Sequence, residues 1–237
     1  MLRLETLGGL VLAGDSGTPL PIQRRRLALL ALLAAAGKRG WSRDKLVGIL
    51  WPDGPEARGR HALEQLIYSL RQERDELLVA GTDPLRINHH VLTADVMEFA
   101  AALEREDRAE AVRLYRGPFL DGFYLTGAPE FEAWAETERG TLAGLYRSAL
   151  ERLARDQAGQ GDLDAAVESW GRLVAVDPLS TTATLGLMRG LVARGDRSGA
   201  WRQGKEHEGL VRRELDRDPD PAIRALLSEL ASRSAGS

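Results

Sequence analysis

WSRDKLVGILWPDGPEARGRHALEQLIYSLRQER, residues 41–74, decides how this chain is read. Ser42 is a natural N-cap, and Leu46, Ile49 and Leu50 recur on one side of a short helix behind it. Lys45 stands at the third helical position, so the capping box is incomplete. Pro52-Asp53-Gly54-Pro55 ends that helix. A second helix is predicted from Glu56 to about Leu78, with Leu63, Leu66, Ile67 and Leu70 as a narrow apolar stripe. Helix, tight turn and amphipathic helix are the layout of a helix-turn-helix reader of the DNA major groove.

The flanks support that layout. Upstream, Leu27, Leu30, Ala31 and Ala34 keep helical spacing from Gln23 until Gly37. Arg3 to Val11 alternates like a strand, and Leu20-Pro21-Ile22 is read as a short further one. Downstream, Gly81 to Pro84 breaks the second helix, and Leu85 to Thr93 alternates again. A turn near Asn88-His89 would make that stretch a small hairpin. Strands, three helices and a terminal hairpin describe a winged helix over residues 1–95.

Charge is unevenly distributed. The whole chain carries −3, which by itself argues against nucleic acid. Residues 22–74, however, hold eleven Lys/Arg against five acids, a net of +6. Residues 96–237 hold 19 basic and 24 acidic residues, a net of −5. Cysteine is absent, so disulfides and thiolate metal sites are excluded. Residues 1–17 lack a cationic region followed by a sustained apolar one, so no signal peptide is read. The longest apolar run, Leu27 to Ala36, is about half of a membrane span. A cytoplasmic protein without membrane contact is expected.

Beyond Asp95 the pattern is helical throughout. Gly161-Asp162-Leu163-Asp164-Ala165-Ala166 matches Gly195-Asp196-Arg197-Ser198-Gly199-Ala200 at an offset of 34. Asp107-Arg108-Ala109-Glu110-Ala111-Val112 is a third copy. That period, with small residues at the helix contact, marks tetratricopeptide-type helical hairpins. The Gly- and aromatic-rich interval Gly117 to Trp134 interrupts the array and is read as an insertion packed onto the repeats. Trp51, Trp134, Trp170 and Trp201 are expected in the core. The expected fold class is therefore mainly α: an N-terminal winged helix-turn-helix (α+β), then an all-α tetratricopeptide-like domain over 96–237.

The second helix of the motif carries the candidate chemistry. With its stripe facing inward, His61, Glu64, Gln65, Tyr68 and Arg71 lie outward or on the flanks, where Arg reads guanine, Gln adenine and Glu cytosine. Arg58, Arg60 and Gln72 suit phosphates, as do Arg24, Arg25, Arg26, Lys38, Arg39 and Arg43. Arg86, Asn88, His89 and His90 in the expected hairpin are candidates for the minor groove or backbone. Signals for an enzyme are weak: there is no phosphate-binding Gly loop, no Cys nucleophile, no Gly-x-Ser-x-Gly and no His-Glu-x-x-His. His89-His90 lacks partner ligands at a metal-binding spacing. No enzyme activity, metal or cofactor is expected.

Several motifs together resemble transcriptional activators of the Streptomyces antibiotic regulatory protein (SARP) type. They are Leu50-Trp51-Pro52, then Leu63, Ile67, Leu70 and Arg71, then residues 114–120 (LYRGPFL). Asp177-Pro178-Leu179, Leu187-Met188 and Arg212-Arg213-Glu214-Leu215 complete the set, which covers roughly residues 2–230. Such regulators join an OmpR-like winged helix to a bacterial transcriptional activation domain of tetratricopeptide-like repeats. The resemblance implies base readout by His61, Gln65, Tyr68 and Arg71, side-by-side binding on direct repeats, and recruitment of RNA polymerase holoenzyme. It places Trp51, Asp53 and Glu56 in a loop facing polymerase. The chain departs from the pattern at four places. Thr181 stands where an acid follows Asp-Pro-Leu, and Gly204 replaces an aromatic. Asp216 lies in a segment without its usual Gly, and His89-His90 stands where Gly-Tyr often closes the wing.

The expected function is thus a sequence-specific DNA-binding regulator, an activator that self-associates on DNA. The alternative is a protein-interaction adaptor that uses the repeats while its winged helix leaves DNA alone.

Overall fold

The computed structural model describes residues 1–72 and 78–234, with side chains described for 1–70 and 78–232. It divides into two compact units, Met1–Tyr146 and Arg147–Ser237.

In the first unit, β1 (Leu2–Glu5) pairs antiparallel with β2 (Val11–Ala13) and parallel with β5 (Leu92–Ala94), giving the order β2-β1-β5. A parallel pair needs a long crossover. Here the crossover holds the whole helix-turn-helix. It contains α1 (Arg24–Ala36), a 3-10 turn at Gly37–Arg39, α2 (Arg43–Leu50), α3 (Glu56–Gln72), β3 (Val79–Ala80) and β4 (Arg86–Ile87). Leu27 through Ala34 are all buried, so α1 is apolar on every side and forms the centre of this unit. In α3 only one stripe is buried: Leu63, Leu66, Ile67 and Leu70. Gly59 lets α3 approach α2, since a Cβ there would lie 2.5 Å from Val47 Cγ1.

Two expectations about strands are corrected. Leu85–Thr93 is not a hairpin. β4 pairs with β3 in the register Val79↔Ile87, Ala80↔Arg86, while β5 crosses to β1. Alternation identifies a strand without naming its partner, and β1 offers β5 a free edge. Residues 20–22 form no strand either. The chain there makes an isolated bridge, Ala13↔Pro19, and one hydrogen bond from Leu20 N–H to the Leu12 carbonyl.

Asp95 joins the sheet to α4 (Asp95–Glu104). Its buried carboxylate accepts from Thr6 N–H at 2.8 Å, Leu7 N–H at 3.0 Å and Val96 N–H at 2.8 Å. Arg3 of β1 grips Glu98 of α4 with two bonds of 2.9 and 2.8 Å, which holds the guanidinium pKa above its ordinary value. These ties, followed by α5 (Arg108–Leu114), keep the helices after residue 95 within the first unit. The packing division therefore falls at 146/147, whereas the sequence pattern changes at 95/96.

The interval 117–128 packs on two neighbours. It lies on the β1–β2 loop, where Leu120 N–H donates to the Thr6 carbonyl at 2.8 Å and Gly8 N–H to the Pro118 carbonyl at 3.0 Å, and also against the helix that follows it. Buried Phe119 meets Trp134 edge-on at 5.8 Å, and Arg139 Nε caps its carbonyl at 3.0 Å. Backbone hydrogen bonds on one side and aromatic contacts on the other hold this segment.

α6 (Pro129–Gly159) carries the chain into the second unit, followed by α7 (Leu163–Val176), α8 (Thr181–Ala193), α9 (Arg197–Leu215) and α10 (Pro221–Ser234). The three sequence copies share one geometry. Asp107, Asp162 and Asp196 each cap a helix by accepting from the N–H three residues on. Each copy makes the same pair of backbone bonds into the preceding helix, as with Asp162 N–H to the Gln157 carbonyl and Gly161 N–H to the Ala158 carbonyl. That pair is a Schellman closure, which needs positive φ at the residue before the Asp. Gly161 and Gly195 supply φ 81 and 91, and Glu106 adopts φ 57 in the first copy. Gly204, where an aromatic is usual, is covered by Met188 and Leu227, whose atoms lie 2.7 and 2.8 Å from a Cβ built there. Of the four tryptophans expected in the core, Trp170 is buried, Trp51 and Trp134 are half-buried, and Trp201 is 45% exposed.

Candidate nucleic-acid interface

The interface is built on α3. At 3.6 residues per turn, positions 61, 65 and 68 fall opposite the buried stripe. His61, Glu64, Gln65 and Tyr68 are all exposed, Tyr68 at 58%. Arg43, Glu64, Gln65 and Tyr68 border one shallow hollow. Among the described residues, no hydrogen bond or ion pair ties down the side chains of His61, Glu64 or Gln65. The side chains of Arg71 and Gln72 lie outside the described residues, as does Arg74 entirely.

α3 is aimed by its neighbours. Ser42 makes no side-chain cap on α2. Asp83 takes that role from across the fold, accepting from Arg43 N–H at 3.1 Å, while Arg43 Nε donates to the Thr82 carbonyl at 2.9 Å. The short β3–β4 loop is thereby fastened to the start of α2. Arg86 Nε donates to the Lys38 carbonyl at 2.8 Å, so Lys38 and Arg43 gather beside this loop. The wing tip is therefore residues 81–84. Asn88, His89 and His90 sit at the other end of the ribbon, where Asn88 N–H bonds the Leu78 carbonyl. The Asn88 side chain closes its own turn on His90 N–H at 3.2 Å, and His89 is exposed.

The expected phosphate cations fall into two groups. Lys38, Arg39 and Arg58 are exposed and lack side-chain hydrogen bonds to described residues. Others are already engaged. Arg24 donates twice to the Tyr124 carbonyl, at 3.0 and 2.7 Å, and lies 4.5 Å from the Phe123 ring centre. Arg25 covers the Trp51 ring at 5.3 Å. Arg60 bonds Glu56 at 2.6 Å and Asp44 at 3.1 Å. In the α2–α3 turn, Asp53 is exposed, Trp51 is half-buried under Arg25, and Glu56 is held by Arg60. Sequence reasoning missed Asp83 and Thr82, because a contact 40 residues away leaves no periodic signal.

A winged helix-turn-helix with an exposed polar face on α3, followed by helical hairpins, defines the class of modular transcription regulators. Residues 85–231 match the model of the bacterial transcriptional activator domain. The chain belongs to that family and is a transcriptional regulator of the SARP type. It is 27% identical over 244 residues to transcriptional regulatory protein MoaR1 of Mycobacterium bovis and of Mycobacterium tuberculosis, covering 90% of this chain and 74% of each relative. An uncharacterized 47.3 kDa protein of Rhodococcus erythropolis is 32% identical over 171 residues, 68% of this chain and 36% of its own. The solved structure of Mycobacterium tuberculosis EmbR in complex with a low-affinity phosphopeptide has the same fold, with a TM-score of 0.70 and 22% identity. That match covers 98% of this chain and 65% of EmbR. No helix among the described residues is long and apolar enough to cross a membrane.

Proposed function

We propose that this regulator binds double-stranded DNA in a sequence-specific manner through α3, on direct repeats, and activates transcription by recruiting RNA polymerase. The observation that carries this reading is the exposed face of α3, where His61, Glu64 and Gln65 have no hydrogen bond or ion pair among the described residues and lie away from a buried stripe. Hydrogen-bonding groups left unspent on a rigid helix are what base edges require. Lys38, Arg39, Arg43 and Arg58 supply the phosphate contacts, with Arg43 oriented by the wing. The Trp51–Glu56 turn faces polymerase and the helical repeats serve assembly. Membership of a transcriptional activator family supports the role, as does the +6 of residues 22–74.

The test is titration onto DNA from upstream of the protein's own and neighbouring genes at two salt concentrations. A footprint over two repeats about one helical turn apart is expected. Affinity should fall steeply with salt, because each neutralised phosphate releases counterions. A folded protein that leaves no footprint at low salt would refute DNA binding and favour the adaptor.

A further inference from the structure

Thr182, Gly186, Arg189 and Ala193 recur at helical spacing along one face of α8, and that face borders a groove of about 580 Å³. Arg155 and Ala158 of α6, with Leu163 and Trp170 of α7, complete its lining. Every one of these residues belongs to the second unit.

The floor of the groove is fixed by close packing. A Cβ at Gly186 would lie 2.4 Å from Trp170 Cδ2, so the indole lies directly against the α8 backbone. A glycine inside a helix weakens it, and here that glycine makes room for a large flat ring. Leu163 and Leu185, both half-buried, add aliphatic surface beside the indole.

The polar groups of the lining have one electrostatic sense. They are the Arg155 and Arg189 guanidiniums and the Thr182 hydroxyl, with no carboxylate among them. Arg155 pairs with Glu151 at 2.5 Å. Arg189 is exposed and has no hydrogen bond or ion pair among the described residues. A guanidinium fork accommodates both oxygens of a carboxylate, and a concave apolar floor takes an apolar body. The volume lies in the range of sites for small ligands. An extended peptide suits the groove less well. Its backbone N–H groups need acceptors, and the Thr182 hydroxyl is the one side-chain acceptor in the lining.

We propose that the second unit binds a small amphipathic carboxylate in this groove. The head group sits on Arg189, with Arg155 adding positive potential, and the apolar body covers Trp170, Leu163 and Leu185. This site is independent of the reading of α3 as a DNA-binding helix.

The test is calorimetric titration of the full chain with decanoate, and with decylamine as a probe of the same tail and opposite head charge. Decanoate should bind with one site per chain, at least tenfold more tightly than decylamine. Arg189→Gln should weaken decanoate about tenfold, because it removes a charge-assisted pair. Ala158→Trp, at an exposed position of the lining, should fill the groove and abolish binding. Circular dichroism should show both variants folded, and Arg189→Gln alone decides the matter if Ala158→Trp is not. Absence of decanoate binding would overturn the proposal. Equal affinity for the two head groups would do the same, since uptake would then be by the tail alone. Unchanged decanoate affinity in Arg189→Gln, or in folded Ala158→Trp, would place the ligand outside this groove and overturn it too.

Discussion

Asp216 and Glu106 show how single residues depart from the rule their position sets. Asp216 ends α9 with φ 49 and ψ 43, in the left-handed region that favours Gly. Glu106 holds φ 57 where the two later copies of the turn have glycine. A non-Gly residue in the left-handed region costs about 1 kcal/mol. Asp216→Gly and Glu106→Gly are each expected to raise stability by about 0.5–1 kcal/mol in urea unfolding. Loss of the exposed 3.6 Å Glu106–Arg108 pair would hardly offset this. Asp95 works in the opposite sense. Asp95→Ala strips a buried acceptor from Thr6, Leu7 and Val96 N–H groups, and should cost about 2–5 kcal/mol in the same assay. Under the proposed DNA binding by α3, Gln65→Ala should cost about 1–3 kcal/mol of affinity for the specific site and spare non-specific DNA. Equal loss on both would make Gln65 a phosphate contact. The repeated Asp motif was visible in the sequence because it recurs within each copy, while the capping bonds of Asp107, Asp162 and Asp196 came from the structure. The part played by Asp95 was not visible, since its partners Thr6 and Leu7 lie almost ninety residues away.

Among the elements, α1, α2 and the start of α3 at Glu56 follow the sequence closely, because their periodicity and their Gly and Pro boundaries are local; the expected end of α3 near Leu78 runs through residues 73–77, outside the described residues, and Leu78 itself is not helical. The β elements do not. β5 is a strand for local reasons, but its pairing with β1 depends on which edge the folded helices bring near. The wing illustrates the same limit: Gly81 to Pro84 is visible as a break, whereas its docking on α2 through Asp83 and Thr82 is tertiary. On α6, burial holds the Glu138 carboxyl above the usual carboxylate range, against the opposing pull of Arg39. A raised folded-state pKa means a contribution fully present below the unfolded value and lost as pH rises through the folded one. Glu138→Gln stays neutral at every pH. The variant should therefore unfold at higher temperature than the parent at neutral pH, and the gain should shrink on acidification towards the ordinary glutamate range. A gain that persists unchanged at low pH would rule out titration of Glu138 as the cause.

At the scale of the whole molecule, charge and packing divide the chain at different points. The basic excess sits in residues 22–74 and the acidic excess after residue 95, while the packing boundary falls at 146/147. Of the cations counted in that excess, Arg24, Arg25 and Arg60 are engaged within the fold. The salt dependence of DNA binding should accordingly be shallower than the raw count of cations implies, because only neutralised phosphates contribute to the slope. Replacing Lys38 or Arg58 by Ala should reduce that slope by about one unit each, while Arg24→Ala should leave it unchanged. An equal change from Arg24→Ala would return that residue to the DNA.

The sequence by itself determined the helix-turn-helix, the three-copy helical array and the face of α3 that meets solvent. Each rests on spacing along a single element or on a turn closed within a few residues. Only the tertiary structure decided which strand pairs with which, where the wing is fastened, and which arginines remain available. Those outcomes are set by groups that meet across tens of residues, and a one-dimensional pattern does not encode their distance in space.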